Sequence, residues 1–171
     1  MRRTLVLFAT LLLLWALLAE LNHALSPLHV WVFAGGLYVG HAALHQSQRG
    51  GLALALLAGC LCDAATPVAF GTHALLFTAA QLVVFRLRDR IPRQDNVAAT
   101  LVALFTNFAL YLLLAFTQGH QAPAGAWPRL LADLVCSQVF VALVTPWFFA
   151  LQARAVALAD AFADLRAGRE A

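Results

Sequence analysis

Six apolar runs, separated by short breaks of Gly, Pro and Arg, constrain this chain more than any other feature. They cover 4–21, 29–44, 51–65, 72–85, 97–117 and 130–151. Crossing the roughly 30 Å hydrocarbon core of a bilayer takes about 20 mostly apolar residues in a helix, so the runs read as membrane spans. The third and fourth are short, and the connection 64–71, which carries Pro67 and Gly71, lets them form one hairpin. Short spans are tilted, lengthened at their ends or partly re-entrant where protein covers their backbone. Composition closes off the other fold classes. Hydrophobic residues make up 63% and charged residues 11%, against about 45–50% and about 25% in soluble domains. A mean hydropathy of +0.81 with a net charge of only +3 is the opposite of what disorder requires. The sequence predicts an all-α polytopic integral membrane helix bundle of about six transmembrane helices over 1–153, followed by a cytoplasmic amphipathic tail over 154–171. The first run continues without a small-x-small exit, so it reads as a retained span.

Sidedness follows from the basic residues, all of them Arg. With the N terminus inside, the inner segments hold Arg2, Arg3, Arg49, Arg86, Arg88, Arg90, Arg93, Arg154, Arg166 and Arg169, and the outer segments hold only Arg129. Cytoplasmic flanks carry such an excess. The bias agrees with an even number of spans and both termini in the cytoplasm. Trp15, Trp31, Trp127 and Trp147 lie toward span ends, where amphipathic rings sit at headgroup level. In the tail, Arg154, Asp160, Asp164 and Arg166 alternate with Val156, Leu158, Phe162 and Leu165. That stretch is either a surface helix or a solvated extension of the last span. The basic pI reflects topology, and no pattern points to nucleic acid.

Small residues form two helical stripes. Gly36 and Gly40 make a GxxxG, and Gly51, Ala55, Gly59 and Asp63 follow one another at spacing four, which places them on one helix face. Such stripes let helix backbones approach closely where lipid supplies little hydrophobic drive, and they serve either packing within the bundle or an interface with a partner, including a second copy of the chain. Asp63 is the most expensive residue of the set, because a carboxylate at a helix centre costs about 2.5–3.5 kcal/mol on insertion scales. Three roles stand open: closing the turn through Thr66 to Gly71 by accepting backbone N–H groups, contacting a partner, or ion chemistry. Asp133, four residues after Arg129, is expected to pair with it. Asn107 and Gln138 are expected to hydrogen-bond across helices.

No constellation points to catalysis. His41 and His45 are one turn apart but lack a third ligand, and Cys60, Cys62 and Cys136 show no CxxC spacing. Neither a nucleophile motif nor a phosphate-binding Gly loop occurs. The reading is a non-enzymatic protein without metal or cofactor. The cluster Arg86, Arg88, Arg90 and Arg93 fixes sidedness, and it also suits anionic lipid headgroups or an acidic cytosolic partner.

The run GLALALLAGCLCDAATPVAFGTHALLFTAAQLVVFRLRDRI resembles the rod shape-determining protein MreD family. There a G-x-x-x-D element ends one helix, a small or Pro-containing turn follows, and a Gly begins the next helix; Gly59, Asp63, Pro67 and Gly71 occupy those places. The resemblance covers about 40 residues at motif level and most of the chain in outline. It implies a multi-pass subunit of the bacterial inner membrane that binds MreC and helps couple MreB filaments to RodA and penicillin-binding-protein synthases in peptidoglycan synthesis. That family is similar in fold to the solute-binding subunits of energy-coupling-factor transporters, which supply the alternative function. Those subunits carry an AxxxA element in the first span, whereas Ala9, Ala16 and Ala19 never fall four apart. Glu20 and His23 at the end of the first run have no counterpart in the MreD pattern.

Overall fold

The computed structural model describes residues 2–90, 96–119 and 127–167. Their helices are α1 (Arg2–Leu25), α2 (Gly35–His45), α3 (Gln48–Ala65), α4 (Thr72–Leu87), α5 (Asn96–Gly119) and α6 (Trp127–Ala167). No strand occurs among the described residues. The short α2 is the axis of the bundle. It packs on α3, α4, α5 and α6, while α1, α3, α4, α5 and α6 touch in turn to close a ring around it. Every residue from Gly35 to Leu44 is consequently buried.

The outer helices bury one stripe each. On α1 the stripe is Leu7, Leu11, Leu14 and Leu18, and on α5 it is Ala99, Ala103, Asn107, Leu110 and Leu114. Steps of three and four residues keep each set on one helix face. On α6 the inward stripe contains Asp133, Ser137, Thr145 and Gln152, whereas Leu143 and Trp147 on its outer face are 68% and 80% exposed. An apolar exterior with polar side chains turned inward departs from a water-soluble fold, and it fits a hydrocarbon surround, where polar side chains face the bundle interior. Three stretches, Arg3–Leu28, Asn96–Thr117 and Trp127–Phe162, are long and apolar enough to cross a membrane. The protein is an all-helical membrane bundle.

Of the six expected spans, the second needs correction in its extent. Run 29–44 is helical only from Gly35. Eleven helical residues reach about 16 Å at 1.5 Å per residue, roughly half of the hydrocarbon core. Residues 30–34 approach the helix without regular structure. Irregular backbone at membrane depth is tolerated where protein satisfies its polar groups, and side chains of the neighbouring helices accept the Trp31, Val32 and Phe33 N–H groups. Runs three and four do form a hairpin, with the turn at 66–71 between α3 and α4.

Of the two readings of the tail, the helix extension is the one observed. α6 continues unbroken through position 153, for 41 residues from Trp127 to Ala167. Its C-terminal part is tied to the start of α1 by an exposed ion pair, with Arg3 Nη2 at 2.9 Å from Asp160 Oδ2.

Candidate functional site

The α3–α4 turn is built around Asp63, whose side chain is fully buried. The first four N–H groups of a helix have no partner within it, and at the start of α4 His73 and Ala74 are buried. Asp63 Oδ2 accepts from the Gly71 and Ala74 N–H groups at 2.9 and 3.1 Å, and Oδ1 accepts from the His73 N–H at 2.8 Å. The Thr72 N–H donates to the Ala69 carbonyl, and Leu75 starts the helical ladder on Gly71. Every amide donor at this end is thereby satisfied. Nδ1 of His73 donates to the same Oδ1 at 2.8 Å. With two donors on each oxygen, the carboxylate uses all of its roughly four acceptor positions, leaving none for a cation or a substrate. Asp63 closes the turn, but it caps α4, the following helix, instead of its own.

Gly71 has φ +98°, and a Cβ there would meet nothing within 4 Å. The left-handed backbone, and not crowding, is what calls for glycine at this position. Below the turn, crowding takes over. A Cβ on Gly59 would overlap the Ala74 backbone N and Cα and stand 2.8 Å from the His73 carbonyl carbon, and one on Gly51 would overlap Gln81 Nε2. Ala55, between them, is fully buried. The stripe Gly51, Ala55, Gly59, Asp63 is therefore occupied by α4 of the same chain, and the open alternative of a groove for a partner on that face is overturned. Gly36 and Gly40 play the same part on α2. Gly36 lies against Ala103 and Asn107 of α5, and Gly40 against Phe149 of α6. Pro67 lies in the turn itself.

The second polar centre holds the segment before α2. Trp31 N–H donates to Asp133 Oδ1 at 2.8 Å, and Phe33 N–H donates to Ser137 Oγ at 2.9 Å. Asn22 takes Val32 at both ends, accepting its N–H at 2.8 Å and donating to its carbonyl at 3.0 Å. One turn into the bundle, Gly36 N–H donates to Asn107 Oδ1 at 3.1 Å. Asp133 thus serves a backbone amide. The expected pair with Arg129 does not form: Asp133 is buried and takes the nearby backbone donor, whereas Arg129 is exposed and stays solvated. Asn107 also donates to Gln138 Oε1 at 3.5 Å, and Gln138 to the Leu104 carbonyl at 3.4 Å, which joins α5 to α6 as expected. Phe33 connects the two centres, with its ring centroid 6.4 Å from His73 and 6.2 Å from Tyr111.

At the opposite end the Arg cluster divides. Arg88 belongs to the fold: its Nη1 donates to the Gln46 carbonyl at 2.9 Å, and its guanidinium stacks 3.7 Å over Phe85. Arg86 and Arg90 are exposed, and Arg93 lies outside the described residues. His41 is buried, stacked on His45 at 4.6 Å between centroids and edge-on to Phe149. Among the described residues no three His, Cys, Asp or Glu side chains converge as a metal site would require.

Sequence reasoning singled out Asp63, Gly59, Gly71 and Asn107, and these do meet their helix neighbours at the points described. It missed Asn22 and Ser137 as backbone ligands. A cue was available in Asn22, a polar side chain with no local cap to make, close to the run that begins at 29. Neither a protein-family model, nor a curated protein, nor a solved structure matches this chain.

Proposed function

We propose that this protein is a non-enzymatic scaffold subunit of the bacterial inner membrane, of MreD type, with both termini in the cytoplasm. It would bind MreC and help couple MreB filaments to RodA and penicillin-binding-protein synthases. The observation that carries the reading is that the polar side chains of the outer half serve the protein's own backbone. Asp63 holds Gly71, His73 and Ala74, Asp133 holds Trp31, Asn22 holds Val32, and Ser137 holds Phe33. Reactive or ligand-binding sites need polar groups with free valences facing a pocket. A bundle rigidified in this way is suited to presenting surfaces. The same observation weighs against a solute-binding transporter subunit, whose pocket would draw on Asp63, His73 and Asp133.

Two exposed surfaces are available to partners. One is the lipid-facing exterior, with Leu56 and Leu57 on α3 and Leu75 and Val83 on α4. The other is the basic end, where Arg86 and Arg90 project. Affinity purification of the tagged chain from native membranes tests the reading. Recovery of a single-span coiled-coil protein together with the actin-like filament protein is the expected result. Arg86→Glu with Arg90→Glu is expected to lower filament recovery without moving the unfolding midpoint. Purification that returns no elongation protein, together with a small solute that raises the midpoint, would replace this function by the transporter one.

A further inference from the structure

Between α1 and α6 the ring opens into a groove of about 430 Å³, lined by Leu13, Leu17 and Leu21 on one side and Val144, Trp147 and Leu151 on the other. At its inner end the two helices are fastened by Gln152, which donates to Thr10 Oγ1 at 3.2 Å, and farther on by the Arg3–Asp160 pair. Along α6 the groove extends from Phe140 to Leu151, about 16 Å at 1.5 Å per residue. That is about the hydrocarbon depth of one leaflet, half of roughly 30 Å.

A positive charge stands just past the inner end of the groove. The positions Val144, Trp147 and Leu151 continue at the same three-and-four spacing to Arg154, so the guanidinium stands on the groove's own helix face, one turn beyond its end. Arg154 is exposed. The positions three and four residues away on either side, Ala150, Leu151, Ala157 and Leu158, carry no acid. Asp160, the nearest carboxylate along the described helix, is engaged by Arg3. An apolar channel one leaflet deep, ending at an unneutralised cation, matches a molecule with an acyl chain and an anionic head.

We propose that the α1–α6 groove is a binding site for one anionic glycerophospholipid, with an acyl chain along Leu17 and Trp147 and its phosphate on Arg154. The site is independent of the scaffold reading. It differs from the ordinary lipid annulus in preferring anionic over zwitterionic headgroups, since the chains are alike and only the head meets Arg154.

Trp147, at 80% exposure, reports occupancy directly. The full chain with Trp15→Phe, Trp31→Phe and Trp127→Phe is reconstituted in phosphatidylcholine vesicles containing a minor fraction of phosphatidylglycerol. Bromine is placed on the acyl chains of one lipid or the other. Brominated phosphatidylglycerol is expected to quench Trp147 about fivefold more than its mole fraction predicts, the preference one Arg supplies near an anionic surface. Arg154→Gln is expected to bring quenching down to the mole fraction with the unfolding midpoint unchanged. Equal quenching by both lipids at equal fraction would overturn the site and leave ordinary annular lipid. Protection of Trp147 from both, with cross-linking between groove positions of two chains, would overturn it in favour of a second copy.

Discussion

Replacing Asp63 tests the central physical claim, that a single buried carboxylate holds the start of α4. Asp63→Ala removes the acceptor of three backbone N–H groups and of His73 Nδ1, and the His73 and Ala74 donors are buried. Each orphaned buried donor costs about 1–3 kcal/mol. Relaxation of the turn, which can expose Gly71 toward the membrane surface, recovers part of this. Several such donors are orphaned together, and after relaxation Asp63→Ala is expected to cost about 3–5 kcal/mol. Asp63→Asn keeps one acceptor oxygen but turns an NH₂ toward backbone donors, so about half the loss is expected, roughly 2 kcal/mol. At about 2–4 °C per kcal/mol for a chain of this size, the alanine variant should lose on the order of 10 °C in thermal unfolding followed by circular dichroism in mild detergent. Hydrogen exchange should show the loss localised, with the Gly71, His73 and Ala74 amides exchanging faster and the centre of α5 unchanged. An Asn variant as stable as the wild type, with those amides still protected, would refute the reasoning, because the charge and second acceptor of Asp63 would then be dispensable.

Gly59→Val forces a branched side chain against the Ala74 backbone, and a loss of at least about 1–3 kcal/mol is expected from overpacking, read by denaturant titration in micelles. Gly71→Ala has space for its methyl but not the backbone for it, at φ +98°, so about 1–2 kcal/mol should be lost without any change in α3–α4 cross-linking distance. Asp133→Ala strands the Trp31 N–H, and about 1–3 kcal/mol is expected, with faster exchange at Trp31; Asp133→Asn, which keeps an acceptor, should be milder. The exposed Arg3–Asp160 pair is screened by solvent and salt, and Asp160→Asn should leave the unfolding midpoint unchanged.

Legibility tracked distance along the chain. Asp63 takes its partners 8, 10 and 11 residues away, within one hairpin, and a carboxylate followed by a Pro- and Gly-bearing turn announces a cap to be made. Asp133 takes its partner 102 residues away, and Ser137 takes its own 104 away. No local pattern encodes those meetings, and the Arg129 four residues from Asp133 offered a nearer but mistaken partner. The small stripes were legible as close-approach faces. That α4 fills one, and that α5 and α6 share the other, depends on how the ring closes.

The amino-acid pattern by itself determined that this is a helical protein of lipid, with small-residue seams and a tight third-to-fourth helix turn. These properties are sums over runs of consecutive residues: the free energy of moving a helix into hydrocarbon depends on its composition, wherever its neighbours stand. The tertiary structure alone decided that the second run is helical only from Gly35, with irregular chain before it. Hydrophobicity is the same for both conformations. The choice rests on whether side chains from α1, α5 and α6 arrive to satisfy a handful of unpaired backbone groups, and their arrival is a property of the assembled fold.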